Sequence, residues 1–186
     1  MRAISSLFVC LLLSACAAAS RPVDTVVVAP GVVLALPAPA ELLRTVDVIQ
    51  LVTARHGDDV FVFEGRLSVG PGGLRLVGTD AMGRRAMDIA WNGGCLTVER
   101  ASWLPERVRP ENVLADIVLI YWPEAAVRRG LRGATLETGP GARTIIADGR
   151  AVIAIRTQGD PWLGAAQLSN TAWAYDIEVR SAGVGP

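Results

Sequence analysis

Short hydrophobic runs with alternating polar residues make up most of the chain after residue 40. Between residues 61 and 69, phenylalanine, leucine and valine occupy one parity, whereas glutamate, arginine and serine occupy the other. Such alternation gives a strand one dry and one wet face, and glycine or aspartate between runs is typical of hairpin turns. We therefore predict antiparallel strands at residues 46–55, 60–69, 74–77, 85–91, 95–100, 134–138, 143–147, 151–157 and 171–180.

The period changes to that of a helix between residues 109 and 130. Apolar residues then follow i, i+3, i+4 and i+7 spacing, which indicates an amphipathic helix, at Val113, Leu114, Ile117, Ile120 and Tyr121. Pro123 ends this helix, and a second short helix follows that ends near Gly130 or Gly133. The predicted fold class is α+β, with two or so helices interrupting a mainly antiparallel sheet.

The chain begins with a pattern typical of a secretory signal. Arg2 precedes an apolar stretch at residues 7–13, which is shorter than the roughly 20 residues of a membrane-spanning helix. The motif LSAC at residues 13–16 resembles the bacterial lipobox. That resemblance implies a diacylglycerol on the sulfur of Cys16, cleavage before this residue and acylation of its amine.

The lipobox sets the predicted organisation and location. We predict a lipoprotein signal peptide at residues 1–15, a lipidated N-terminus and tether at 16–31, and a single domain at 32–186 that starts with an edge strand at 32–36. Ala17 follows the cysteine where, by resemblance to enterobacterial lipoproteins, an aspartate would retain the protein in the inner membrane. The expected location is therefore the outer membrane, with a lipid anchor and the folded body in the periplasm.

Composition narrows the classes of partner. The formal net charge is +0, and the basic residues, all of them arginines, are scattered along the sequence, whereas a nucleic-acid-binding protein needs a clustered basic face. Nucleic acid is therefore not an expected partner. With Cys10 in the signal peptide and Cys16 lipidated, Cys95 has no partner for an intramolecular disulfide, and we expect it to be a small buried side chain.

Few residues indicate enzymatic chemistry. His56 is the only histidine, and neither a G-x-S-x-G elbow nor an H-E-x-x-H helix accompanies it. Asp58 and Asp59 are adjacent in a predicted turn, which points their carboxylates apart, and the glycine clusters match no phosphate-binding motif. We predict no catalytic residue, no metal site, no cofactor and no enzyme.

The order of lipobox, meander, amphipathic helix and second meander resembles the carrier and receptor proteins of the bacterial lipoprotein-localisation (Lol) pathway. That resemblance implies a curved, incompletely closed β-barrel of about 9–11 strands whose concave face is covered by helices and binds acyl chains. Residues 113–123 and 168–177 also look like the helix and last strand of an uncharacterised lipoprotein family often encoded beside aryl-polyene biosynthesis genes. This second resemblance implies a role connected with polyenes.

One set of large side chains is a candidate either for the wall of an apolar pocket or for a filled core: Phe61, Phe63, Trp91, Ile117, Trp122, Trp173 and Tyr175. A pocket would take an acyl or polyene chain, at about 25 cal/mol per Å² of apolar surface buried. Asp116 is a candidate partner for an arginine at its mouth. Trp162 and Leu163 either contact the membrane or a partner, or cap the sheet.

Three hypotheses about function follow. The first is a membrane-anchored, non-enzymatic lipoprotein that binds or transfers a hydrophobic, lipid-like molecule at the outer membrane. The second is a structural or assembly lipoprotein that recruits another envelope protein and holds no ligand. The third is a hydrolase centred on His56.

Overall fold

A computed structural model describes residues 19–184 of the chain. The signal segment at 1–15 and the anchor candidate Cys16 lie outside these described residues, so both remain predictions. The strands that precede the helices are β1 (Ala19–Pro22), β2 (Thr25–Ala29), β3 (Val32–Ala35), β4 (Val46–His56), β5 (Asp59–Gly70), β6 (Gly73–Thr79), β7 (Arg85–Trp91) and β8 (Cys95–Arg100).

Two helices and six further strands complete the described part of the chain. A short 3-10 helix at Pro39–Leu42 also lies between β3 and β4. The later elements are α1 (Pro110–Tyr121), α2 (Glu124–Gly130), β9 (Leu131–Arg132), β10 (Thr135–Gly139), β11 (Ala142–Ala147), β12 (Arg150–Gln158), β13 (Ala165–Asn170) and β14 (Tyr175–Gly183).

The strands form two antiparallel sheets. The large one has eleven strands in the order β1-β8-β7-β6-β5-β4-β14-β13-β12-β11-β10, and the small one has the order β2-β3-β9. Within residues 19–184, β1 and β10 are the edges of the large sheet and do not pair with each other, so this sheet is not closed into a barrel. The predicted α+β class, mainly antiparallel with two helices, is confirmed.

The helix boundaries follow from two prolines. Pro110 occupies the first turn of α1, where its fixed φ suits a helix and its missing N–H is not needed. At the other end, Trp122 precedes Pro123 and adopts an extended conformation (φ −73°, ψ 153°), because a proline disfavours helical backbone in the residue before it. The helix therefore ends at Tyr121, and α2 begins directly after Pro123.

Helix α1 lies between the two sheets. It contacts β2 of the small sheet and β13 of the large one, while α2 contacts β3 and β10. The buried face of α1, the small sheet and the inward-facing side chains of the large sheet share one apolar core. Arg143 of β11 donates hydrogen bonds of 2.8 Å to the carbonyl oxygens of Leu119 and Trp122, which occupies acceptors that the end of α1 leaves free.

The segment after Cys16 differs from the expectation of a tether that reaches residue 31. Residues 19–22 pair with β8, and residues 25–29 pair with β3, so the folded body includes these residues and does not start at Val32. The sequence between 19 and 31 is rich in alanine and valine without clear alternation. Its strands are stabilised by partners distant in the chain, which a local pattern does not reveal.

The end of the chain also differs from the sequence expectation. Instead of one strand at 171–180, β13 ends at Asn170, a turn occupies 171–174, and β14 starts at Tyr175. The Asn170 side chain accepts a hydrogen bond of 3.1 Å from the N–H of Trp173, and Ala174 has a positive φ of 54°. The Asn170 side chain and the left-handed backbone of Ala174 favour a turn between the two strands. The β-branched and aromatic residues around this turn resemble a continuous strand, which is why the sequence pattern predicted one.

Candidate functional site

A cavity of about 120 Å³ lies between the first half of α1 and the large sheet. It sits at the end of the sheet where α1 begins and where β4 and β5 are joined. Its wall is mostly apolar and includes Ala54, Phe61, Val108, Val113 and Ile177. Apolar walls with a few polar groups are typical of small-molecule sites.

A buried carboxyl group is the main polar feature of this cavity. Asp116 of α1 is 7% exposed, and the hydroxyl of Tyr175 donates to its two carboxylate oxygens at 2.9 and 3.0 Å. The amide of Asn170 in turn donates to the Tyr175 oxygen at 3.4 Å and to the carbonyl of Val28 at 2.9 Å. This chain of contacts ties α1, β13, β14 and the small sheet together.

Burial changes the acid–base behaviour of both partners. It raises the pKa of Asp116 from 3.8 to about 7, although the hydrogen bond from Tyr175 favours the charged form. Burial, followed by the neighbouring negative charge of Asp116, also raises the pKa of Tyr175 above its usual value. The pair is therefore one carboxyl that changes charge near neutral pH beside a phenol that stays protonated.

Arginines surround the mouth of the cavity. Arg107 pairs with Asp59 and places its guanidinium 5.5 Å from the centre of the Phe61 ring. Arg109, just before α1, lies 5.2 Å from the centre of the Trp173 ring. Arg55 of β4 lines the same cavity and forms a long ion pair of 3.8 Å with Glu178. These cations give an apolar cavity a positively charged rim.

The structure divides the large side chains proposed as pocket or core. Phe61 and Tyr175 line the cavity, and Phe63 stacks on Phe61 with ring centres 6.3 Å apart. Trp91 and Trp122 instead pack against each other inside the core, with ring centres 6.3 Å apart and exposures of 1% and 0%.

The remaining two members of that set lie beside the cavity. Ile117 is buried in the core cluster next to Asp116 in the chain. Trp173 is half-buried in the turn before β14 and carries Arg109 on its ring. The cavity therefore involves only part of the expected set, and Trp91 and Trp122 belong to the filled core.

The other end of α1 carries a second polar cluster. Gln50 donates to the hydroxyl of Tyr121 at 2.8 Å and to that of Ser181 at 3.0 Å. Trp162 packs on the Tyr121 ring with a centre-to-centre distance of 4.2 Å and is only 3% exposed, which favours a cap of the sheet over contact with a membrane or partner. Leu163 is 63% exposed and stays available for such a contact.

His56 and Cys95 occupy different parts of the sheet. His56 is exposed at the end of β4 and lines the cavity mouth. The cavity lining contains no serine, threonine or cysteine for it to activate. Cys95 is half-buried in β8, where its sulfur lies 2.8 Å from the Ser20 hydroxyl.

A larger depression of about 520 Å³ lies between the β5–β6 and β7–β8 turns. It is more open to solvent than the α1 cavity, and its polar members, such as Asp47 and Ser68, bond to each other on the sheet surface. No buried ionisable group points to a ligand there. The cavity at α1 is the better candidate because it combines enclosure, a buried carboxyl and a charged rim.

Several site residues were not singled out from the sequence. The pairing of Asp116 with Tyr175, and not with an arginine, brings together residues 59 positions apart. Site roles for Asn112, Arg107 and Arg109 were also not predicted from the sequence. One local signal was present: Asp116 is the single charge in an otherwise apolar run from Val113 to Trp122, and a charge on the buried face of a helix needs a partner.

Within residues 19–184, no helix has the length and apolar character needed to span a membrane. The same range contains no group of three or more histidine, cysteine, aspartate or glutamate side chains arranged to hold a metal ion.

Comparison with known protein families gives a match. Residues 47–183 match the sequence model of a family described as a protein of unknown function, DUF3261. No curated protein matches the chain. The matched range runs from β4 to β14 and contains both helices and every residue of the cavity. Because it spans more than half of the 186 residues, the chain belongs to the DUF3261 family of uncharacterised proteins.

Proposed function

We propose that this protein is a non-enzymatic lipoprotein, anchored in the bacterial outer membrane through Cys16, that binds or transfers a lipid-like molecule. The ligand enters the cavity between α1 and the large sheet. The observation that carries the proposal is this apolar cavity with its buried Asp116 and arginine rim. An apolar chain suits the wall, and an anionic or polar group suits the rim.

The size of the cavity limits what it holds. Its volume of about 120 Å³ is below the roughly 300–1,000 Å³ of most small-molecule sites. We infer that only one end of a long acyl or polyene chain occupies it while the rest passes through the mouth. The architectural resemblance to the Lol proteins supports this role for a sheet covered by a helix, and the aryl-polyene resemblance makes a polyene a candidate ligand.

The position of the first strand supports an anchor near the cavity mouth. Arg21 of β1 forms an ion pair of 2.8 Å with Glu111 in the first turn of α1. Cys16 precedes Ala19 by three residues, which span at most about 10 Å when extended. A lipid on Cys16 would therefore hold the membrane surface close to the rim, where a lipid-like ligand enters or leaves.

The anchor is tested by labelling and fractionation. We expect palmitate to label the wild-type protein, which should fractionate with the outer membrane, because Cys16 supplies the only thioether position of the lipobox. The Cys16→Ser variant should carry no label and remain in the soluble periplasmic fraction. Labelling of the variant, or an inner-membrane location of the wild type, would contradict the proposed anchoring.

The ligand is tested by filling the cavity. Ala54 faces Ile177 across β4 and β14 and lines the cavity, so Ala54→Phe should occupy the space of the ligand. Mass spectrometry of molecules extracted from soluble Cys16→Ser protein should find a stoichiometric apolar ligand. In the Cys16→Ser, Ala54→Phe protein, we expect at least a tenfold lower yield.

A matched control separates occupancy from folding. Ala151 is exposed at the start of β12, away from the cavity, so Ala151→Phe should leave the ligand yield unchanged. Circular dichroism establishes that both variants fold. If the soluble Cys16→Ser protein with an unchanged cavity carries no ligand after mild purification, that result would count against ligand binding. It would favour the alternative of an assembly lipoprotein.

A further inference from the structure

We infer that the inner wall of the cavity is a subsite for a hydroxyl group carried by the apolar ligand, formed by Asp116, Asn112 and Tyr175. The inference rests on the proposed function, since it requires that the cavity takes a ligand. It specifies the polar group that enters the inner wall, whereas the proposed function places an apolar chain on the wall and an anionic or polar group only at the rim. Three observations carry it.

The first observation is that the three side chains converge. Asn112 and Asp116 are one helical turn apart on α1, so both face the same side of the helix. Tyr175 reaches them from the start of β14, with its hydroxyl 2.9 Å from the Asp116 carboxylate. All three line the cavity of about 120 Å³.

The second observation is an excess of hydrogen-bond acceptors. A carboxylate can accept about four hydrogen bonds, but within residues 19–184 Asp116 receives only the Tyr175 hydroxyl, shared between its two oxygens. The Asn112 amide nitrogen donates a long hydrogen bond of 3.4 Å to the carbonyl of Val27. Its oxygen is buried without a partner among the described residues. A ligand donor would satisfy these acceptors.

The third observation is the sign of the surrounding charge. An anionic ligand group beside Asp116 would be repelled, and it would find Arg109 at the rim instead, beside Arg55 and Arg107, which pair with carboxylates. An ammonium group would have to pass those same arginines and leave water for an apolar wall. A neutral hydroxyl avoids both costs. Because burial raises the pKa of Asp116 to about 7, a hydroxyl also fits both states, as donor to the carboxylate or acceptor from the acid.

Two isomeric probes isolate the hydroxyl. 1-Hexanol and methyl pentyl ether have the same atoms and nearly the same apolar area, but only the alcohol can donate a hydrogen bond. We expect NMR titration of the soluble Cys16→Ser protein to show the alcohol binding at least tenfold more tightly than the ether. The largest shift changes should fall on Asp116, Asn112 and Tyr175.

Variants assign the preference to the subsite. In the same Cys16→Ser background, Asp116→Leu should bring the ratio of the two affinities to within about twofold of one, whereas Asp116→Asn, which keeps an acceptor oxygen, should retain most of the preference. Asn112→Ala, at a half-buried position, should lower the ratio and serves as the test if Asp116→Leu does not fold.

The outcomes separate this inference from the function on which it rests. Equal affinities of the two isomers for the wild-type cavity would overturn the hydroxyl subsite and leave lipid binding in place. Failure of both probes to bind would overturn the subsite and also count against the ligand cavity. If both Asp116→Leu and Asn112→Ala still bind the alcohol more tightly than the ether, the hydroxyl group must bind elsewhere. That result would overturn the inference.

Discussion

Replacing Trp122 by alanine is expected to lower the free energy of unfolding by about 3–5 kcal/mol. Trp122 is fully buried at the junction of α1 and α2, packs on Trp91, and donates from its indole nitrogen to the carbonyl of Ala38 at 3.3 Å. Alanine would leave an apolar void between the helices and the large sheet, and it would free the Ala38 carbonyl. Urea denaturation followed by circular dichroism measures the change.

A second tryptophan provides the control for this experiment. Trp103 is 42% exposed and carries Arg84 at 5.0 Å from its ring centre, so Trp103→Ala should cost less than about 1 kcal/mol. Because Trp122 does not line the cavity, the folded fraction of the Trp122→Ala protein should still bind apolar ligands there. A stability loss below about 1 kcal/mol together with lost ligand binding would contradict the assignment of Trp122 to the core.

Replacing Asp116 by asparagine is expected to stabilise the protein above pH 7 and to remove a pH dependence. In the folded state, burial raises the pKa of Asp116 to about 7, against an ordinary value of 3.8. Between these values the folded state holds one more proton than the unfolded state, so the free energy of unfolding falls as the pH rises through this window. At about 1.4 kcal/mol per pKa unit, the fall is at most about 4 kcal/mol.

The pH prediction is measured by urea denaturation at intervals from pH 4 to pH 8. Asparagine cannot ionise but keeps an oxygen for the Tyr175 hydroxyl, so its curve should lack the fall seen in wild type. The substitution leaves the other ionisable side chains around the cavity in place, so their contributions to the pH dependence cancel between the two proteins. These side chains are Arg55, His56, Arg107 and Arg109. Asp148→Asn, at an exposed turn, should reproduce the wild-type curve. Parallel wild-type and Asp116→Asn curves would contradict a buried carboxyl with this behaviour.

Local patterns in the sequence were sufficient for most of the secondary structure. The strands from β4 to β8 lie within two residues of their predicted bounds, and α1 ends just before Pro123 as predicted, although it begins at Pro110, three residues before the helical pattern starts. Alternation and helical spacing report on one element and its dry face, and prolines fix helix ends through the backbone itself. The candidate site was only partly accessible, since Phe61 and Tyr175 were anticipated whereas Asn112 and the rim arginines were not.

The sequence by itself determined the α+β class, the order of the elements from β4 to α2 and which face of β5 turns inward, because these depend on residues a few positions apart. Only the tertiary structure decided that residues 19–31 join the folded body, that Trp91 and Trp122 fill the core, and that Asp116 meets Tyr175 beside a cavity. Whether a buried side chain lines a space or fills it depends on how neighbours distant in the chain pack around it. No spacing along one element carries that information.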